Sequence, residues 1–342
     1  MEPSKLAWWF WSFGTEVVGD DSALYAQVCR VVAESPSLLA LAARSAEETP
    51  MIFLAAIHDA LLREPDDELA AYYPTVGGRR GPDAALGPAL ERFCAAREEP
   101  LAHTLVTRRT QTNETARCAG LLPAFAAVAR GRPLAQIEIG ASAGLNGLWD
   151  HYAYDYAGTA AGDPDSPLRI ACDLRGSAVP PLDPPPVAWR AGIDLSPVDL
   201  RDPDDVRWLR ACLWPDQRAR HERFDAAVEV ARVHGPVDIR GGDALAMLPG
   251  VIESAPAGAL LCVFHTAALA YFTREQIAAL ATLLAGLDRD VAWIGGEAPG
   301  ILVEDARKGG SPLYFTVSAG RPGRLARVAR MGHHGGWLEW RG

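Results

Sequence analysis

Lysine is almost missing from this 342-residue chain. Lys5 and Lys308 are the only two, and every other cation is an arginine. A GC-rich coding bias explains that skew without any special phosphate chemistry. Positive charge is short as well: 43 Asp and Glu outweigh 33 Lys and Arg, for a formal net charge of −10. A general nucleic-acid surface needs clustered cations to displace counterions from phosphates, so nucleic acid is not an expected partner. Paired cysteines are lacking too. Cys29, Cys94, Cys118, Cys172, Cys212 and Cys262 form no C-x-x-C motif, which leaves no zinc knuckle and no thioredoxin-type centre. Several sit in apolar runs, where a free thiol behaves as a small hydrophobe, and a reducing compartment fits them. The longest apolar stretch, Ala255–Phe272, is interrupted by Pro256 and His265. It falls short of the roughly 20 residues that span a bilayer. Near the start, Glu16, Asp20 and Asp21 surround no long apolar core of the secretory kind. A cytoplasmic protein with no membrane partner is expected. No internal repeat is visible.

What is present reads as two domains. At 49% hydrophobic residues the chain can fill ordinary cores. Residues 1–132 predict an all-helical cap domain. Apolar residues recur at helical spacing over Ser22–Ala33, Ser37–Arg44, Met51–Arg63, Pro88–Arg97 and Thr115–Arg130. Proline and glycine separate these runs, and no alternating strand appears among them. Trp8, Trp9 and Trp11 read as one more helix packed into this core. After Gly131-Arg-Pro133 the character changes. Leu134–Ile139, Val187–Asp194, Val237–Arg240, Ala259–Phe264 and Val291–Gly295 predict strands, with helices between them. Leu313–Ser318 and Leu325–Met331 form a last strand pair. Alternation of strand and helix predicts an α/β domain over 133–342, its parallel sheet covered on both faces. A small inserted β-hairpin, about 152–186, with a proline-rich end, breaks the alternation.

The segment Gln136-Ile-Glu-Ile-Gly-Ala-Ser-Ala-Gly-Leu-Asn146 predicts a strand, a turn of small residues and a helix opening near Leu145. Small residues let a ligand approach the backbone, and a helix start offers unpaired N–H groups. Three readings compete. Glu138, Gly140, Ser142 and Gly144 resemble the acidic-x-Gly-x-Gly-x-Gly loop of class I S-adenosylmethionine-dependent methyltransferases, with Ser142 in place of the middle glycine. Gly140-Ala-Ser142-Ala-Gly144 is also G-x-S-x-G, the turn that carries the nucleophile of serine hydrolases. Third, the segment is only a tight turn. Context favours the first. A hydrolase turn follows several strands, whereas the preceding 130 or so residues look helical. A hydrolase order Ser142, Asp243, then His333 or His334 does exist in the chain.

Further residues fall in the order that a nucleotide-binding sheet requires. Asp194 ends the second strand, where an acid can accept both ribose hydroxyls. A helix cap would also use an Asp there. Asp243 and Ala244, in Arg240-Gly-Gly-Asp-Ala-Leu245, resemble the methyltransferase segment beside adenine. His265 ends the next apolar strand as a candidate general base, and Tyr271 and Glu297 share its edge as candidate catalytic residues. Thr112, Asn113, Glu114 and Arg117 are candidate substrate-binding residues, poised to hold an amine or a carboxylate. They read equally as a helix cap with its salt bridge. His333-His334 reads as an exposed loop pair with no third metal ligand at sensible spacing, so no metal is expected.

By overall pattern the chain resembles an uncharacterised bacterial family, domain of unknown function 2332. The resemblance rests on Thr110-Gln-Thr-Asn-Glu114, Gly140-Ala-Ser-Ala-Gly-Leu-Asn146, Gly192-Ile-Asp-Leu-Ser-Pro197, Glu297-Ala-Pro-Gly300 and Trp337-Leu-Glu-Trp340. With the methyltransferase resemblance, it implies a Rossmann-like, class I methyltransferase-type sheet of seven strands. S-adenosylmethionine would lie on Glu138, Gly140, Ser142, Gly144, Asn146, Asp194, Asp243 and Ala244. The expected function is a small-molecule methyltransferase with substrate between cap and sheet. A serine hydrolase and a non-catalytic nucleotide-binding protein are the alternatives.

Overall fold

The computed structural model describes residues 3–47, 50–303, 312–318 and 325–342. Along the chain the helices are α1 (Pro3–Ser12), α2 (Ala23–Glu34), α3 (Pro36–Ala42), α4 (Pro50–Arg63), α5 (Leu86–Ala96), α6 (Glu98–Thr107), α7 (Cys118–Ala129), α8 (Pro203–Ala211), α9 (Arg218–His234), α10 (Ala244–Glu253) and α11 (Arg274–Ala285). The strands are β1 (Leu134–Ile139), β2 (Ala153–Tyr156), β3 (Thr159–Gly162), β4 (Arg169–Arg175), β5 (Val187–Asp194), β6 (Asp238–Gly241), β7 (Leu260–Thr266), β8 (Val291–Glu297), β9 (Leu313–Ser318), β10 (Ala326–Met331) and β11 (Gly336–Trp340). Among the described residues no strand precedes Leu134, as the early helical periodicity predicts. None of the described helices is long and apolar enough to cross a membrane.

Two compact units result, Met1–Thr112 with Arg201–Glu222, and Asn113–Leu200 with Arg223–Gly342. The first is helical. Its core gathers Phe10, Tyr25, Phe53 and Phe93 with Trp208, Cys212 and Trp214. Those last three bring residues 201–222 into the helical unit, a return that the sequence alone does not signal. His58 is enclosed there, with Nδ1 on the Ala211 carbonyl at 3.0 Å and Nε2 on Thr75 Oγ1 at 2.7 Å. The expected cap boundary at residue 132 also shifts. Asn113 onward, α7 included, belongs with the sheet. Helix α7 is apolar on nearly every side and is buried along most of its length, the pattern of a helix covered all round.

The second unit holds a mixed α/β fold with one eleven-stranded, mostly parallel sheet, in the order β3-β2-β4-β11-β10-β9-β8-β7-β1-β5-β6. Strands β6, β5, β1, β7 and β8 run parallel. All six residues of β1 are buried, as two covered faces require. Its one central amide is engaged at both ends: Gln136 Nε2 donates to the Gly147 carbonyl at 2.5 Å, and Gln136 Oε1 accepts from Trp149 Nε1 at 2.7 Å. From β1 the chain moves outward to β5 and β6, then returns to β7 and β8 on the other side. The strand order therefore reverses at β1, and the crevice at its carboxyl end is the usual ligand position in such sheets.

Beyond β8 the expectation needs correction. Instead of a seven-stranded sheet the chain continues as an antiparallel meander from β8 through β9 and β10 to β11, the last of which sequence reading misses. The predicted hairpin is not a separate insertion. Strand β2 pairs antiparallel with β3 and parallel with β4, and β4 pairs parallel with β11. The segment thus extends the main sheet. Leu145–His151 is a 3-10 turn rather than an α-helix.

Candidate functional site

The loop after β1 is held in a left-handed backbone at three places: φ is 72° at Gly140, 53° at Ser142 and 74° at Gly144. Glycine accepts this freely, whereas serine is strained by it. Close packing adds to the demand. A Cβ on Gly140 would lie 2.7 Å from Ala268 Cβ, and one on Gly144 would lie 2.8 Å from Val237 Cβ. Both glycines are thus required by neighbouring protein. The loop after β5 fastens the other side. The Gly140 N–H donates to the Ile193 carbonyl at 2.9 Å, and the Val198 N–H donates to the Ser142 carbonyl at 3.1 Å. Asp194 closes the join: Oδ2 accepts the Ser142 N–H at 2.8 Å and Oδ1 accepts the Ser196 N–H at 2.8 Å. Asp194 stays partly exposed, and the neighbouring Leu195 is 79% exposed. A carboxylate oxygen offers two lone pairs, so Asp194 retains acceptor capacity toward a ligand.

Glu138 and Asn146 lie beneath this loop. Asn146 Nδ2 reaches Glu138 Oε1 and Thr266 Oγ1, each at 3.4 Å, and Cys118 Sγ reaches Asn146 Oδ1 at 3.5 Å. Burial pushes the Glu138 carboxyl well above the usual range, and the nearby Asp194 charge adds to the effect. Ser142 Oγ is buried without a hydrogen-bond partner. Asp243 plays the helix-cap role, accepting the Ala246 N–H at 3.0 Å at the start of α10, while Ala244 is buried behind it.

His265 is fully buried, and both of its ring nitrogens are engaged. Nδ1 lies 2.6 Å from Glu297 Oε1, and Trp293 Nε1 donates to Nε2 at 2.9 Å. The proton therefore sits on Nδ1, and neither nitrogen is open to a ligand as a general base. Glu297 Oε1 also accepts the Ala268 and Leu269 N–H groups at 3.1 Å each. It so fixes the loop after β7, where Ala267 holds φ at 53°. Tyr271, on that loop, is 84% exposed.

Asn113, Glu114 and Arg117 belong to the sheet unit, not to the helical one, while Thr112 is exposed at the end of the first unit. Glu114 is 3% exposed and Arg117 2%. Glu114 Oε1 accepts from Arg223 Nη2 at 3.3 Å, and Oε2 lies 3.5 Å from His334 Nδ1. Arg117 donates to the carbonyls of Thr266 and His333 at 3.3 and 3.4 Å. Sequence reading misses Arg223, Thr266 and Leu195, and treats His333-His334 as an exposed loop. A usable signal existed in Gly332-His-His-Gly-Gly336: at Gly335, φ is 77° and a Cβ would lie 2.6 Å from Ala116 Cβ. That glycine lets the turn between β10 and β11 approach the Asn113–Arg117 segment.

Comparison with known proteins then gives a family. The model of the family described as "uncharacterized protein conserved in bacteria (DUF2332)" matches residues 7–340. The chain belongs to that family. No curated protein and no solved structure matches it. Family membership carries no activity with it, so function rests on the site at the end of β1. Among the described residues no group of three or more His, Cys, Asp or Glu side chains could hold a metal ion.

Proposed function

We propose that this protein binds S-adenosylmethionine at the carboxyl end of β1 and transfers its methyl group to a small molecule. The observation that carries the reading is the reversal of strand order at β1, with Asp194 and the Gly140–Gly144 turn joined at that point. The donor set suits an adenosyl group. Asp194 would accept the ribose hydroxyls through its remaining lone pairs. Leu195, exposed beside it, would cover one face of the base, and Asp243 with Ala244 would border its edge. Bound S-adenosylmethionine supplies an electrophilic methyl group on a sulfonium centre. The turn Gly140–Asn146, whose glycines are filled from behind by Ala268 and Val237, would act as a rigid floor. Tyr271, on a loop fixed by Glu297, would bound the side facing the acceptor. Positioning of that kind is the main requirement of an in-line displacement. His265 is assigned the holding of this loop rather than proton transfer. Ultraviolet crosslinking of labelled S-adenosylmethionine tests the reading. Label should map to peptides containing residues 140–146 or 194–198, and label found elsewhere or nowhere would remove it.

One observation favours a serine hydrolase as second reading: Ser142 combines a φ of 53° with an unpartnered Oγ. No imidazole contacts that oxygen, and the strand before it is the first of its sheet, so the nucleophile lacks its base.

A further inference from the structure

Two imidazoles just beyond the turn at the end of β1 stack face to face. The ring centroids of His151 and His234 are 3.8 Å apart, with 19° between the ring planes. His151 is partly buried and ends the 3-10 turn Leu145–His151, which continues directly from the Gly140–Asn146 turn. His234 is exposed and ends α9, after which the chain turns at Gly235, where φ is 87°, and passes through Val237 into β6. These two segments already pack on each other. A Cβ on Gly144 would lie 2.8 Å from Val237 Cβ and 3.2 Å from Ile239 Cδ1, and one on Gly147 would lie 3.2 Å from Val237 Cγ2. The imidazole stack joins the same two segments a second time. The charges around it tolerate little added positive charge. Asp150 Oδ2 lies 3.8 Å from His151 Nε2, but both Asp150 oxygens are held by Arg190 at 3.1 and 2.9 Å. Arg190 also donates to the Gly147 carbonyl at 3.2 Å. Burial holds the His151 imidazole below its ordinary range; Asp150 and Asp163 oppose that effect, and Arg190 and His234 reinforce it. Two imidazolium rings in this stack would repel each other and the Arg190 guanidinium.

We propose that the His151–His234 stack is a pH-sensitive clamp, which carries at most one proton while it holds the Gly140–Gly147 segment against Val237 and β6, and which opens when a second proton enters. In the open form each imidazole titrates near the ordinary histidine value of about 6.5, so the open form takes up a proton that the closed form refuses. The clamp is therefore closed above about pH 6.5 and gives way as the pH falls below it. Only its effect on S-adenosylmethionine rests on the reading of this turn as an adenosyl site.

The test follows both imidazoles of the full chain by NMR from about pH 8 to about pH 5, across the histidine range. Hydrogen exchange is read on the same samples at the Gly144 and Gly147 amides, which donate to the Ala141 and Gly144 carbonyls at 2.7 and 3.0 Å. The imidazoles should titrate as a coupled pair, in two steps about one pH unit or more apart. Corrected for its intrinsic pH dependence and set against the amides of β1, exchange at Gly144 and Gly147 should quicken in acid by up to about tenfold per pH unit. His151→Asn and His234→Asn each remove one of the two charges. In either variant the remaining imidazole should titrate in a single step and the acid rise in exchange should vanish. His234 is exposed, so its replacement tests the clamp even where loss of His151 unsettles the turn. Independent titration of the two imidazoles, or exchange that stays flat in the parent or rises equally in both variants, would overturn the proposal. S-adenosylhomocysteine affinity, measured by calorimetry across the same range, should fall in acid with the parent and not with His234→Asn. An acid rise in exchange with no S-adenosylhomocysteine binding at any pH would support the clamp and sink the cofactor reading. Binding of constant strength with flat exchange would do the opposite.

Discussion

Substituting Gly140 with alanine probes the junction on which the whole site stands. The residue holds φ at 72°, and its new Cβ would meet Ala268 Cβ at 2.7 Å. A left-handed backbone costs a non-glycine residue about 1–2 kcal/mol. Forcing a methyl group into a filled contact costs about 1–3 kcal/mol more. Gly140→Ala should therefore lose about 2–5 kcal/mol of stability. Ala268→Gly, which only loosens the backbone, should lose about 0.5–1 kcal/mol. The double variant removes the clash and keeps the dihedral strain, so its loss should be about 1.5–3 kcal/mol, less than the sum of the single losses. That shortfall is the coupling between the loops after β1 and β7. Urea denaturation of the four proteins measures it, provided the denaturant slope stays constant. A neutral Gly140→Ala, or strictly additive losses, would refute the contact and with it the rigid floor assigned to the site.

Three further outcomes follow from buried groups. Burial, together with the nearby His221, lowers the His58 pKa from 6.5 to about 3. The unfolded chain then takes up a proton below about pH 6.5 that the folded chain refuses. Stability should fall as pH drops from about 6.5 toward 3, by up to about 1.4 kcal/mol per pH unit, and His58→Gln should flatten the slope; an unchanged slope in a folded variant would contradict this. The thiols of Cys29, Cys94, Cys172 and Cys212 are pushed up to about 12 by burial, and all six cysteines are buried and free. A thiol-specific disulfide reagent at pH 8 should leave them unreacted until the chain is denatured, and rapid reaction in the native state would refute that packing. A fluorophosphonate probe should leave Ser142 unlabelled, because no base contacts its Oγ; stoichiometric labelling lost on denaturation would revive the hydrolase reading.

The parallel centre of the sheet was legible because β1, β5, β7 and β8 are apolar runs closed by glycine or a polar residue, the mark of strands covered on both faces. Other strands were harder. Strand β11, paired on both sides, mixes Trp337, Leu338 and Glu339 in a half-buried run, and β3, at one edge of the sheet, is only Thr-Ala-Ala-Gly. The allocation of residues 201–222 to the helical core depends on Trp208 and Trp214 joining the same core as Tyr25 and Phe53, residues some 150 or more positions away, and no local periodicity records such a pairing. At the site, Gly140, Ser142 and Asp194 were visible as types suited to a turn and a ribose. His265 misled for a physical reason: a titratable residue at a strand end looks available, and only the fold brings Trp293 and Glu297 to its two nitrogens. Arg223 was invisible for the same cause, since its partner Glu114 lies 109 positions earlier in the chain.

Calorimetric titration of the full chain with S-adenosylmethionine and S-adenosylhomocysteine, beside the Asp194→Ala variant, addresses the central claim most directly. Both compounds should bind at one site per chain. Asp194→Ala should weaken them by about 1–3 kcal/mol, the cost of leaving hydrogen-bonding groups unpaired. No heat of binding with either compound, or equal affinity in a folded Asp194→Ala variant, would contradict an adenosyl site at the end of β1.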